Sequence, residues 1–389
     1  MFISHSNCPN FRVLSDFRKD NYEFFKECFK QSALLAMEAG MASLGHVSLD
    51  GSKLKANTSK HKEMSCARLK AKEKELTEEI EVLLAKAAKC NEEDEEYQDK
   101  SGYEIPEELK IKEKRLAKIK EAKEALENRE KELNPGKEID DKKQISFADK
   151  EARIMGKKGD FDYSYNGQIS VDEDNQIIVG QHLTQKANDK QEVEPALEEI
   201  KETTGNLPDK MSLDNGYMSG DNLEAFYGKD IDVYIATGKG EKKDQRPIED
   251  SNRKIKKSDF SYDEDKNCFL CPAGHTLNLK TWSSDGKKVY QAVKAECDAC
   301  PYKVRCCSSK RGEPRTINSD DKEPLREKMN EKMEQESSKE IYKRRKKIVE
   351  PVFGQIKNSG FRGFSLRGNE KASGEFSLHF QKTRYRSIF

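Results

Sequence analysis

The stretch that decides the fold is Val47-Ser48-Leu49-Asp50-Gly51-Ser52-Lys53-Leu54-Lys55-Ala56-Asn57. His46 to Leu49 alternates polar and apolar residues, which predicts a short half-buried strand that ends on Asp50. A carboxylate at the carboxyl end of such a strand points into the crevice where α/β sheets bind ligands. The glycine that follows lets a substrate approach the backbone closely. We therefore consider Asp50 a candidate site residue.

A second carboxylate repeats this pattern. Met211 to Leu213 predicts a short strand that ends on Asp214, directly before Asn215-Gly216. Two such groups and a third from a neighbouring helix could hold two Mg²⁺ ions about 4 Å apart, an arrangement suited to phosphoryl transfer. On local pattern alone, however, each acid is more often an ordinary turn or cap carboxylate.

The surrounding pattern predicts a mixed sheet flanked by helices. Strands are expected at 168–172, 176–179 and 231–236, with the first two joined by a turn at 173–175. Helices are expected at 15–44, 190–204 and 219–227, and a long basic helix should run through Glu350. This alternation of strands and helices indicates an α/β fold.

Residues 65–133 differ in character. Leucines recur seven residues apart, with Glu and Lys between them, at Leu69, Leu76 and Leu83, at Leu109 and Leu116, and at Leu126 and Leu133. The acidic stretch Asn91 to Asp99 separates the halves, and Asn134-Pro135-Gly136 ends the second. We interpret the segment as an inserted helical hairpin or short antiparallel coiled coil; the alternative is a solvated spacer without chemistry.

Composition restricts the class of protein. Of 389 residues, 34% are hydrophobic and 37% charged, and the 72 basic residues balance the 72 acidic ones. Zero net charge is unusual for a DNA-binding protein, but local clusters rather than the total attract phosphates. The sequence shows no apolar run of membrane-spanning length and no secretory signal pattern at its start, so we expect a cytoplasmic protein without membrane contact.

Six of the ten cysteines fall between Cys268 and Cys307, as two Cys-x-x-Cys pairs separated by 25 residues and then Cys306-Cys307. This spacing approximates a zinc ribbon in a reducing compartment. With His275, seven side chains compete for the four places around a tetrahedral Zn²⁺. The alternative is a set of buried free thiols.

Three segments resemble the motifs of insertion-sequence DDE transposases. Val47 to Asn57 resembles the first catalytic motif, Ser212 to Tyr217 with Ser219 and Asn222-Leu223 the second, and Ile348 to Gly354 with Lys357 the third. Tyr163 to Gln168 and Val171-Asp172 match the family's middle strand. The resemblance runs from about Ser15 to about Glu375, in one order.

The resemblance implies a ribonuclease-H-like core in which Asp50, Asp214 and Glu350 are catalytic and hold two Mg²⁺ or Mn²⁺ ions. Phosphate contacts are implied for the remaining signature residues of the last helix, Tyr342, Arg345 and Lys357. Arg345 also belongs to the basic run 343–347, so it has the alternative of being one charge on a solvated face.

The family pattern also narrows the possible zinc ligands. It favours Cys271, Cys297, Cys300 and Cys306, with Cys268 as an alternative ligand. The cysteine module would be structural or DNA-contacting rather than catalytic, because it leaves no evident open coordination position.

The expected organisation is as follows: 1–44, remnant of an amino-terminal helical domain; 45–61 and 137–240, catalytic core; 62–136, helical insertion; 241–320, cysteine module; 321–389, catalytic helix and basic tail. We expect a DNA transposase that cuts and joins element ends and target DNA as a homodimer. The alternatives are a truncated copy that only binds DNA, because most of the amino-terminal domain is missing, and a metal-dependent nuclease of the same fold.

Overall fold

The computed structural model describes residues 9–58, 63–93, 104–157, 160–237, 246–263, 265–283, 286–309 and 311–388. His61 and most of the acidic stretch Asn91 to Asp99 lie outside these residues. The helices are α1 (Phe11–Asp20), α2 (Tyr22–Glu38), α3 (Cys66–Glu93), α4 (Glu104–Leu133), α5 (Val193–Thr204), α6 (Gly220–Ala225), α7 (Lys294–Ala299), α8 (Lys303–Cys306), α9 (Glu323–Glu334), α10 (Glu336–Ile348), α11 (Glu350–Asn358) and α12 (Asn369–Ile388). The strands are β1 (Val47–Lys55), β2 (Glu63–Ser65), β3 (Gln144–Ser146), β4 (Arg153–Lys157), β5 (Asp160–Asp172), β6 (Ile178–Thr184), β7 (Lys210–Leu213), β8 (Asp232–Ile235), β9 (Ser261–Asp263), β10 (Cys268–Leu270), β11 (Thr276–Trp282), β12 (Lys288–Ala292) and β13 (Thr316–Ser319).

A six-stranded mixed sheet carries the candidate acids. Its order is β4-β5-β1-β7-β8, and β6 also pairs with β5. Strand β5 runs antiparallel to its neighbours β1, β4 and β6. Strands β1, β7 and β8 run parallel to one another. This mixed sheet with flanking helices confirms the predicted α/β class.

Alternation along β1 directs its side chains to two hydrophobic layers. On one face, Val47 and Leu49 join a cluster with α5 residues such as Ile200. On the other face, Leu54 joins a cluster with residues of α11 and α12, among them Val352 and Phe376. A fully buried side chain of this size contributes about 2–3 kcal/mol through removal of apolar surface from water. These layers hold the helices that approach the sheet.

Strand β1 continues past the predicted end. Asp50 lies inside the strand, opposite Ile169 of β5, and the antiparallel pairing extends to Lys55. The parallel pairing with β7, in contrast, ends at Leu49, opposite Leu213. Asp50 therefore lies where the parallel part of the sheet stops, although β1 itself does not stop there. The prediction of a strand end at Asp50 was wrong because β5 supplies hydrogen bonds that the local pattern does not reveal.

Helices α3 and α4 pack against each other as an antiparallel pair. Their contact buries residues of the seven-residue repeat, including Leu69, Leu76 and Leu126. Ion pairs of 2.8 Å between Lys123 and Glu73 and 3.2 Å between Lys112 and Glu79 run along the pair. The repeat extends further than the contact, because Leu133 is exposed.

A second sheet holds the cysteine-rich segment. Its five strands follow the order β13-β12-β11-β10-β9, and all neighbours are antiparallel. Phe269, Leu277, Tyr290 and Ile317 form its buried cluster, against which Cys271, Cys297 and Cys306 pack. This segment thus has its own small core.

Two predicted helices are each divided. The predicted helix at 15–44 is two helices, α1 and α2, because the Asn21 side chain and backbone N–H both donate to Phe17 O and end α1. The predicted long helix through Glu350 ends at Ile348, and α11 begins at Glu350. Pro351 explains the second break, since proline lacks the N–H that a continuous helix needs but suits a first helical turn.

Candidate active site

Asp50 and Asp214 lie at neighbouring positions of the sheet. Asp214 directly follows β7 and caps the short 3-10 turn Asn215–Tyr217. Each carboxylate accepts a backbone N–H from a nearby glycine: Gly51 donates to Asp50 Oδ1 at 2.9 Å, and Gly216 donates to Asp214 Oδ1 at 2.7 Å. The two carboxylates are close enough for the charge of Asp214 to raise the pKa of Asp50.

Arg345 joins Asp50 to the third predicted acid. Its guanidinium lies 2.9 Å from Asp50 Oδ1 and 3.7 Å from Glu350 Oε1. Arg345 is only 6% exposed, although its neighbours in the basic run are exposed. The alternative of a solvated charge is therefore wrong for Arg345, because the side chain turns inward onto a carboxylate.

Glu350 occupies the first position of α11 and its side chain is 52% exposed. The helix macrodipole and the free N–H groups of a first turn stabilise a carboxylate at that position. The break between α10 and α11 thus places a negative side chain on a helix amino terminus beside Arg345. The structure brings Asp50, Asp214 and Glu350 to one region of the molecule.

Burial and neighbouring charges alter the ionisation of this region. Burial, opposed by Arg345 and assisted by Asp214 and Asp189, raises the pKa of Asp50 to about 6. Burial also raises the pKa of Tyr342, with Arg345 opposing and Asp214, Asp50 and Glu350 adding to the shift. Tyr342 lies on α10, the helix that also carries Arg345, and the charges of all three acids act on its hydroxyl.

Lys357 lies apart from the other signature residues. It occupies the last turn of α11 and is exposed, and the structure shows no ion pair for it with the described residues. Arg345 thus contacts two of the acids, whereas Lys357 is exposed to solvent.

The local pattern missed a polar network on the opposite side of β1. Asp189 Oδ1 accepts hydrogen bonds from Asn166 Nδ2 at 2.8 Å and Gln168 Nε2 at 2.7 Å, and Lys53 Nζ lies 3.6 Å away. The resemblance included Asn166 and Gln168 as part of a strand motif, but nothing in the sequence near Asp189 pointed to the site.

His46 also lies in a network rather than alone. Its two ring nitrogens lie 3.0 Å from Glu173 Oε2 and 3.1 Å from Ser212 Oγ, and Ser212 Oγ lies 2.6 Å from Ser48 Oγ. The arrangement has the order of a serine–histidine–acid triad, but Ser48 and Ser212 are fully buried inside the sheet. It therefore ties β1 to β7, two residues before each aspartate.

The favoured cysteines line one small cavity. Cys271, Cys297, Cys300 and Cys306 border it together with Cys307 and His275. Cys271 Sγ accepts the His275 N–H at 3.3 Å, and Cys300 Sγ accepts the Tyr302 N–H at 3.4 Å. Cys268 instead lies in β10, buried and away from this cavity, which counts against it as a ligand.

Neither the three acids nor the cysteines converge tightly on one position. Within the described ranges, no three or more His, Cys, Asp or Glu side chains are arranged tightly enough to hold a metal ion. Between Asp50 and Glu350, the Arg345 guanidinium forms ion pairs with Asp50 Oδ1 and Glu350 Oε1. Also among the described residues, no helix is long and apolar enough to cross a bilayer.

Comparison with known proteins addresses the carboxyl-terminal part of the chain. The family of transposase DDE domains matches residues 270–382, which include most of the cysteine-rich sheet and the helices that carry Tyr342, Arg345 and Glu350. Asp50 and Asp214 lie outside the matched residues. No curated protein and no solved structure matches the chain. The match of residues 270–382 to transposase DDE domains supports a transposase function for the chain.

Proposed function

We propose that this transposase cuts and rejoins DNA at a site formed by Asp50, Asp214 and Glu350. The observation that carries the proposal is the position of Arg345, which contacts both Asp50 of β1 and Glu350 of α11. These two acids are 300 positions apart in the chain, and Asp214 directly follows β7, the strand next to β1. Arg345 thus links two of the three acids that the motifs selected separately, and the charge of the third, Asp214, acts on Asp50.

The strand order supports a ribonuclease-H-like core. In the order β6-β5-β1-β7-β8, only β5 is antiparallel to the rest. The first aspartate lies on the central strand, the second follows the adjacent parallel strand, and the glutamate lies on a helix against the sheet. This arrangement agrees with the one expected for the family.

The donor atoms present suit Mg²⁺ or Mn²⁺, which prefer carboxylate oxygens. Asp50 and Asp214 are the residues that would hold the ions, with Glu350 from α11 completing the set. When bound, such ions lower the pKa of an attacking water and neutralise the charge that develops on the leaving oxygen.

Arg345 and Tyr342 would position the acids and the DNA. Arg345 holds Asp50 in place. Its positive charge offsets part of the negative charge of the nearby carboxylates of Asp50, Asp214, Asp189 and Glu350. Release of Arg345 from Asp50 would free a donor fork suited to a phosphate, the contact that the resemblance implies. Tyr342 would supply a hydroxyl beside the same acids. For exposed Lys357 we propose a contact with DNA backbone farther along α11.

Replacement of each acid tests the proposal. Asp50→Asn, Asp214→Asn and Glu350→Gln should each abolish nicking and strand transfer on DNA that carries the element's ends, while retaining DNA binding in a mobility-shift assay. The exposed Asp230, changed to Asn, is the matched control and should keep wild-type activity. Full activity in any of the three variants would remove that acid from the site.

The same assay separates the rival functions. A wild-type protein that binds DNA but neither nicks nor joins it would be a binding protein without catalysis. Cut products without joined products would indicate a nuclease. The homodimer on paired DNA ends stays a prediction that size measurement of the protein–DNA complex would check.

For the cysteine module we propose a structural Zn²⁺ held by Cys271, Cys297, Cys300 and Cys306. The shared cavity and the two backbone N–H groups that donate to Cys271 and Cys300 support this choice, because such N–H groups stabilise thiolates. Cys307, which lines the same cavity, is the competing fourth ligand.

Metal analysis of the purified protein tests the zinc proposal. We expect about one zinc per chain and release of that zinc on Cys297→Ser or Cys300→Ser. Cys268→Ser is the control and should retain the metal, because Cys268 does not line the cavity. Absence of zinc from protein purified without chelators would contradict the proposal.

A further inference from the structure

Asp189 lies against the two glycines that orient the candidate aspartates. A Cβ atom on Gly51 would lie 3.0 Å from Asp189 Oδ1, and one on Gly216 would lie 3.3 Å from Asp189 Oδ2. The N–H groups of these same glycines donate to Asp50 and Asp214. One carboxylate thus borders both backbone segments on which the orientation of the two acids depends.

Asp189 is itself held by buried polar side chains. Asn166 and Gln168, both fully buried, donate their amide N–H groups to Asp189 Oδ1. Gln168 is paired directly with Gly51 in the register of β1 and β5. Two of the three partners of Oδ1 therefore belong to the strand that supports Asp50, and the third, Lys53, lies on the Asp50 strand itself.

The network closes on the segment that carries Asp214. Gln168 Oε1 accepts the hydroxyl of Tyr217, which lies in the turn capped by Asp214. Asn222 Nδ2 donates to both Tyr217 O at 2.8 Å and Asp189 O at 2.9 Å. The hydrogen bonds thus form a ring through Asp189, Gln168, Tyr217 and Asn222 that joins β5, the loop before α5, and the turn after β7.

We propose that Asp189 is a positioning residue of the active site that sets the relative orientation of Asp50 and Asp214. This inference rests on the proposed function. The Asp189 side chain is 22% exposed. Its Oδ1 pairs with Lys53 although it already accepts hydrogen bonds from two neutral amides. Oδ2 has no hydrogen-bond donor among the described residues and faces the Asp214 segment. The carboxylate therefore couples two segments that are far apart in sequence.

The test compares Asp189→Ala and Asp189→Asn with the wild-type chain. Misplacement of reacting groups by about 1 Å can reduce a rate about 100-fold, so we expect the nicking kcat of Asp189→Ala to fall roughly 10- to 100-fold. KM for DNA should stay within about twofold, because Asp189 is not proposed to contact DNA. Asp189→Asn keeps one oxygen facing the amides and should lie between wild type and Asp189→Ala. A Mn²⁺ titration monitored by thermal stabilisation should show the same order of weakened binding.

Asp221→Ala is the matched control, because Asp221 contacts Gln191 and Lys322 beside the same loop but borders neither glycine. It should change kcat and Mn²⁺ binding by less than about twofold. A folded Asp189→Ala protein with wild-type kcat and Mn²⁺ binding would overturn the inference, as would equal losses in Asp221→Ala. If Asp189→Ala does not fold, Asp189→Asn decides: a kcat at least threefold below wild type supports the inference, and wild-type kcat overturns it.

Failure of the proposed function would look different. In that case the wild-type and Asp221→Ala proteins would also lack nicking. The Mn²⁺ titration would then decide the inference: weaker binding by the Asp189 variants than by wild type supports it, whereas equal or absent binding in all proteins overturns it.

Discussion

Asp50 combines burial with an ion pair. Its carboxylate lies inside β1, accepts one backbone N–H and contacts Arg345. Burial nevertheless outweighs Arg345 and raises the pKa of Asp50 to about 6. A buried anion of this kind weakens the folded state in the absence of a bound cation, since desolvation disfavours the charged form.

The stability of the metal-free protein should reflect this raised pKa. Because the pKa of Asp50 is higher in the folded state than in the unfolded state, protonation of Asp50 stabilises the fold. This stabilisation is complete below the unfolded-state pKa, near 4, and is lost as the pH rises through about 6. Relative to Asp50→Asn, the wild-type free energy of unfolding should therefore decrease by roughly 2–3 kcal/mol between pH 4 and pH 8. Urea denaturation with a chelator present measures this. A difference between wild type and Asp50→Asn that is constant over this pH range, or opposite in sign, would contradict the assignment.

Between elements, close backbone approach decides how the last helix packs. Gly374 of α12 lies against Tyr22 at the start of α2, where an added Cβ would be 2.6 Å from Tyr22 O and 2.7 Å from Tyr22 Cα. Backbone atoms cannot rotate away as the end of a side chain can. The glycine therefore permits the contact between α2 and α12, in which the rings of Phe29 of α2 and Phe380 of α12 pack together.

Substitution of this glycine should separate the two helices. Gly374→Ala should lower the free energy of unfolding by about 1–3 kcal/mol because of overpacking. The control is Gly354→Ala in α11, where nothing lies within 4 Å of the added Cβ. Since alanine favours helix over glycine by up to about 1 kcal/mol, this control should be neutral or stabilising. Thermal and urea denaturation of both variants would measure the difference; equal effects would contradict the close packing.

The elements also show what local sequence can predict. Alternation located β7 and β8, and the leucine repeat located the paired helices, because these patterns are local. Pro351 carried the signal for the break before α11, but the basic run before it favoured one continuous helix through Glu350. Asp50 and Glu350 were selected by motif resemblance. The contact of Arg345 with Asp50, and the position of Asp189, depend on tertiary packing that no local pattern encodes.

At the scale of the whole molecule, the net charge is zero, but basic residues are clustered locally. The basic run of α10 includes exposed Lys346 and Lys347 beside buried Arg345. Exposed lysines next to the candidate acids would attract the DNA backbone to the site even though the total charge is balanced. Local cationic groups, rather than the total, therefore account for DNA binding in this proposal.

The double substitution Lys346→Gln and Lys347→Gln should weaken DNA binding and reduce its salt dependence. Loss of two phosphate contacts would lower the slope of log K against log salt by about 2. Lys118→Gln with Lys120→Gln, two exposed lysines of α4, is the matched control with the same change in net charge. Binding titrations at several salt concentrations would measure both pairs, and equal effects would contradict a specific role for α10.

The central claim is that Asp50, Asp214 and Glu350 form one metal-binding site. Anomalous scattering from crystals soaked in Mn²⁺ tests it most directly. We predict a Mn²⁺ peak within about 2–2.5 Å of carboxylate oxygens of both Asp50 and Asp214, with Arg345 displaced from Asp50. A Mn²⁺ peak elsewhere in the chain, with the Arg345–Asp50 pair intact and no density between the two aspartates, would contradict the claim.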